Sequence, residues 1–86
     1  MSENKVNNLK ALINRLFADN QEQREGLIQL MDIIKQGSER GIEVLEMVIV
    51  FIGVIRTKSK DRNDFNTIIE GCKVLAPDVV LEAVHI

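Results

Sequence analysis

The sequence predicts an all-α fold, a small bundle of four to five helices forming one domain over 1–86. Three observations lead there. Apolar residues recur at three-and-four spacing in successive segments, the pattern of helices that bury one face. Short polar stretches rich in Asn, Asp, Ser and Gly divide these segments, and such residues cap helices and turn chains. The single proline stands at position 77 and leaves the chain before it free to be helical.

The first helix, ENKVNNLKALINRLF, sets Val6, Leu9, Leu12, Ile13, Leu16 and Phe17 on one face, with Asn8, Lys10, Asn14 and Arg15 opposite. The stripe lapses through ADNQEQREG, where Ala18 is the one apolar side chain. A break is therefore expected near 18–21, with Asp19 or Asn20 as N-cap and Glu22 or Gln23 completing a capping box. One bent helix from 3 to 36 is the alternative, because Gln, Glu and Arg favour helices.

The second helix, QREGLIQLMDIIKQ, would bury Leu27, Leu30, Met31 and Ile34, with Ile28 and Ile33 at its flanks. In KQGSERG, Gly37 reads as the C′ residue that ends it, Ser38 as the next N-cap, and Glu39 as the start of the third. Helix three is expected from Glu39 to about Lys58, central in the bundle and at the interface of an expected dimer. The polar loop SKDRND then offers Ser59, Asp61 and Asn63 as caps. Helix four, DFNTIIEGCKVL, turns Phe65, Ile68, Ile69, Cys72 and Leu75 inward and ends at Ala76-Pro77. Pro77 suits the first position of a short fifth helix, PDVVLEAVHI, with Val80, Leu81 and Val84 on one side.

The stretch EVLEMVIVFIGVIRTK, within helix three, carries nine uncharged residues from Met47 to Ile55. That is roughly 14 Å of helix, against about 30 Å of hydrocarbon to cross, so no membrane span is expected. Its β-branched content would also suit a buried strand. However, the apolar character begins earlier, at Ile42 and Leu45, and no second strand-like run exists to pair with it. As a helix it has two faces. Val44, Leu45, Val48, Phe51, Ile52 and Ile55 form a core stripe, with Ile49 at its edge. Glu43, Glu46, Met47, Val50, Gly53, Val54 and Thr57 form the other face, which starts charged and turns apolar. Met47, Val50 and Val54 around Gly53 need cover. Either helices four and five close over them, or a twin subunit does so in a two-fold homodimer, which adds stability to a small core.

Composition limits the chemistry. Hydrophobic residues at 45% and charged residues at 28% are globular values. Cys72 is the lone cysteine, and MSENKVNN lacks the features of a signal peptide, so a reducing cytoplasm is the expected location. A net charge of −2, without Tyr or Trp, argues against nucleic acid as the main partner. The would-be recognition helix DVVLEAVHI also lacks Arg, Lys, Asn and Gln.

One His and one Cys cannot make a metal site, and GSERG lacks the Lys-Ser/Thr of a phosphate loop. His85 is penultimate, where chains fray. Cys72 neighbours Lys73 but lies on an apolar side. No catalytic, metal or cofactor site is expected, and the chain reads as no enzyme.

The remaining charge feature is Arg56, Lys58, Lys60 and Arg62, four cations in seven residues. They suit the C-terminus of helix three, and they could also dock an acidic protein surface. The leading expectation is a non-enzymatic interaction module, a small regulator, adaptor or inhibitor that presents a helical surface to a protein partner. Met47, Val50, Gly53 and Val54 are its candidate contact or self-association residues. Arg56, Lys58, Lys60 and Arg62 would dock electrostatically. The alternative is a nucleic-acid-binding regulator using the basic 56–62 loop in a dimer.

Overall fold

A computed structural model describes residues 2–59 and 61–79 of the chain. Four helices follow in order: α1 (Ser2–Leu16), α2 (Gln21–Glu39), α3 (Leu45–Lys58) and α4 (Arg62–Leu75). No strand occurs among the described residues, so the fold is all-helical. The fifth helix expected after Pro77 falls mostly at 80–86, outside the described residues; Pro77–Val79 form a turn.

The first break lies where the apolar stripe lapses. The Asn20 side-chain oxygen accepts from the Gln23 backbone N–H at 3.0 Å and so caps α2. The Arg24 guanidinium donates to the carbonyls of Phe17 and Ala18, at 3.0 and 3.2 Å. These carbonyls close the end of α1, where helices leave acceptors without partners. One side chain of α2 thus fastens the hairpin.

The second break corrects the sequence reading. Helix α2 does not end at Gly37, and Ser38 is no N-cap: α2 continues through both to Glu39, and α3 begins at Leu45. Gly41, with φ of 74°, is the residue that ends α2. Ile42 N–H donates to Gly37 O at 2.8 Å and Gly41 N–H to Ser38 O at 3.2 Å, the paired bonds of a Schellman motif. Gly37 has a different task. A Cβ there would overlap Val44 Cγ1, so its bare backbone lets Val44 tuck against α2.

The loop before α4 follows sequence expectation more closely. Of the three offered caps, Asp61 serves, accepting from Asn63 N–H at 2.8 Å. Helix α4 ends before Ala76-Pro77, as the proline requires.

The closest helix pair is α1 with α4, running antiparallel. Arg15 near the end of α1 meets Asp64 in the first turn of α4 at 2.7 Å, and Lys5 meets Glu70 at 3.7 Å. Next to Glu70, a Cβ placed on Gly71 would lie 2.6 Å from Leu9 Cδ2 and 2.8 Å from Leu9 Cβ. The two backbones approach because Gly71 has no side chain.

Phe17 and Phe51 are the largest fully buried side chains, and no polar or charged residue joins them among the described residues. Helix α3 contributes Val48, Phe51, Ile52 and Ile55 to this core. No described residue covers its opposite face, so among the described helices α3 is a wall of the bundle and not the buried central helix that sequence suggested.

The glycines make a discriminating test. Gly37→Ala and Gly71→Ala should each destabilise by about 1–3 kcal/mol through overpacking, despite a helix-propensity gain of about 1 kcal/mol. Gly26 and Gly53 have nothing within 4 Å of a would-be Cβ. Alanine there should stabilise by up to about 1 kcal/mol. Urea unfolding midpoints read all four.

Candidate functional site

At 100° per residue, Glu46, Val50, Gly53 and Thr57 fall within an arc of about 60° on α3, opposite its core stripe. All four are exposed. Val50 is 57% exposed, and nothing lies within 4 Å of a Cβ built on Gly53. The result is an apolar knob beside an open hollow on one face of the helix. The Thr57 hydroxyl donates to the Val54 carbonyl at 2.6 Å, which satisfies it locally.

The four candidate contact residues therefore divide. Val50 and Gly53 face outward. Met47 and Val54 are half-buried and pack against the core. Met47 leans towards α2, its Cε lying 3.7 Å from a would-be Cβ on Gly37. Two further apolar side chains stand in water that sequence reasoning left unassigned or marginal: Ile42 at 55% and Ile33 at 52% exposure. Ile33 sits at the edge of the α2 stripe, a position visible from spacing. Ile42 follows the αL glycine, and its exposure stems from a turn that sequence placed too early in the chain.

The basic residues also divide. Arg56 and Lys58 are two apart and so lie on opposite flanks of α3. The Arg56 guanidinium stacks over the Phe65 ring of α4, 4.8 Å from its centroid. The Lys58 ammonium sits 5.7 Å from the Phe17 ring at the end of α1. Such contacts draw each cation to an aromatic face. Arg56 and Arg62 share an open cleft of about 450 Å³ with Ser59, Asp61 and Phe65. Lys60 lies outside the described residues.

Asp64 borders this region but is occupied, by Arg15 at 2.7 Å and by the Ser59 hydroxyl, which donates to it at 3.2 Å. Among the described residues no carboxylate pairs with Arg56, Lys58 or Arg62.

Cys72 is 1% exposed, and burial pushes its thiol up to about 12. At neutral pH it is a protonated, inaccessible group with no nucleophilic character. The cleft between α1, α2 and α4, lined by Val6, Lys10, Asp32 and Lys35, has about 210 Å³ of space. Lys10, Asp32 and Lys35 make no ion pair within the described residues and do not converge as a reactive set. The described residues hold no group of three His, Cys, Asp or Glu side chains that could take a metal ion. His85 lies outside them. No described helix is long and apolar enough to cross a membrane.

No protein-family model matches the chain, and neither a curated protein nor a solved structure matches it.

Cys72 supplies a direct check. Its raised pKa means the fold favours the protonated thiol. The stabilisation is complete below the unfolded-state value near 9 and fades as pH climbs towards about 12. Cys72→Ala should flatten that part of the stability–pH curve, measured against wild type. In the folded protein a thiol reagent should react only as fast as the chain opens.

Proposed function

We propose that this chain is a non-enzymatic interaction module, a small cytoplasmic regulator, adaptor or inhibitor whose working surface is the outward face of α3. The observation that carries the proposal is Val50, more than half exposed beside the open hollow at Gly53. A helix can dock through such a strip without catalytic groups, reading its partner by shape and by flanking charge. Met47 and Val54 border the strip and extend its apolar area.

The cleft holding Arg56 and Arg62 adds electrostatic docking on one flank, and Lys58 adds it on the other. Lys60 lies between them in sequence. Arg56, Lys58 and Arg62, which pair with no carboxylate among the described residues, suit an acidic protein surface at the edge of an apolar strip. They steer encounter and fix orientation more than they add affinity. The nucleic-acid reading draws less support, because phosphate binding needs a concentrated field and Arg56 and Lys58 point to opposite flanks.

A photo-crosslinking residue placed at Val50, in cells that make the protein, tests the proposal. A discrete crosslinked product should form at Val50 and not at Asn14, an exposed position on α1. Equal labelling at both positions, or none at either, would refute the surface. The mass of the product tells a twin chain from a different protein.

A further inference from the structure

We infer that the partner covering this face is a second copy of the chain, its α3 lying antiparallel across the first, with each Val50 seated over the other's Gly53. The inference rests on the reading of α3 as an interaction surface and goes further by naming the occupant and the register.

The argument comes from the symmetry of the strip itself. Its exposed residues, Glu46, Val50, Gly53 and Thr57, are spaced by four, three and four along α3. A two-fold axis between residues 51 and 52 exchanges Val50 with Gly53 and Glu46 with Thr57. The strip is then its own complement: the knob of one chain meets the hollow of the other, twice. A two-fold interface needs this self-complementarity, because the same patch must serve both subunits.

The charges agree with the same register. Glu43 and Glu46 stand at the start of α3, and Arg56 and Lys58 flank Thr57 at its end. Antiparallel pairing brings Glu46 of each chain between Arg56 and Lys58 of the other. Parallel pairing would set acid on acid and base on base. Within one chain, among the described residues, none of Glu46, Arg56 and Lys58 has an ion-pair partner. Arg56 and Lys58 rest against the Phe65 and Phe17 rings, contacts that leave their charges without a carboxylate and open to one across the axis. From Glu46 to Thr57 the strip runs about 16 Å, so the two charged ends are far enough apart to act separately. The opposed helix dipoles favour the same direction.

This strip is smaller than the roughly 800 Å² per partner of a standard stable interface. The dimer should accordingly be weak, with a Kd of the order of 10–100 μM.

Sedimentation of the purified chain up to about 1 mM, with circular dichroism to confirm folding, tests the inference. Wild type should show a concentration-dependent dimer, and Glu46→Arg should weaken it about tenfold. Combining Glu46→Arg with Arg56→Glu and Lys58→Glu should restore self-association, yet this variant should not pair with wild type. Gly53→Ala should weaken the dimer while raising folding stability, since it fills the hollow but touches no described residue of its own chain.

A monomeric wild type at the highest concentration would overturn the inference. A dimer indifferent to Glu46→Arg would also overturn it, because the register would be wrong. If wild type is monomeric while the crosslinker at Val50 still captures a different protein, the interaction surface stands and only its twin occupant falls. If both experiments are blank, both readings fall.

Discussion

The close approach of α1 and α4 at Leu9 and Gly71 is the contact on which the rest of the bundle depends. It joins the first helix to the fourth, so the α2–α3 hairpin between them is held at both ends. A glycine inside a helix costs about 1 kcal/mol relative to alanine. Gly71 returns this by letting Leu9, fully buried, sit directly against the α4 backbone. The ion pairs at Arg15–Asp64 and Lys5–Glu70 lie towards the two ends of this contact. Surface pairs of this kind contribute little stability; their value is in setting the antiparallel register. A second close approach, Val44 against Gly37, folds α3 back onto α2 in the same manner.

With α1 and α4 packed so tightly, α3 joins the core by one side only. Phe51 and Ile55 are fully buried beneath it, while Val50 stands out. An isolated exposed apolar side chain is ordinary on any protein surface. Val50 differs because of its surroundings. It shares a 14-residue helix with a hollow at Gly53, and the helix is acidic at one end and basic at the other. That ordering along one strip gives the surface a direction, which a scattered exposed residue lacks.

Much of this layout was legible in the sequence. Three-and-four spacing located α1, the lapse of its stripe located the first turn, and Pro77 marked the end of α4. The inner and outer faces of α3 also followed from spacing, down to Ile49 at the boundary. The failure at KQGSERG has a specific cause. Gly37 and Gly41 both carry the chemistry of a helix stop, and only the packing of Val44 against Gly37 separates their roles. The α1–α4 contact was silent for the same reason: Gly71 looks like a weak point of a helix until Leu9 is placed against it. Likewise, the split of Arg56 from Lys58 follows from helical geometry, but their aromatic partners, Phe65 and Phe17, come from outside α3.

The helix-interior glycines then sharpen the functional argument. Gly37 and Gly71 each admit a side chain from elsewhere in the chain, which is sufficient reason for a helix to tolerate them. No described residue packs against Gly53, which carries the helix penalty without a return from any of them. Gly26 shares this lack, and nothing in the structure explains it. The two sites differ in their neighbours. The exposed neighbours of Gly26 one turn away, Glu22 and Gln29, are both polar, whereas those of Gly53 include the apolar Val50 beside Arg56 and Thr57, with half-buried Val54 next in sequence. A hollow among polar side chains is readily filled by water. One bordered by apolar side chains is better filled by another apolar group, and in α3 no described residue supplies it.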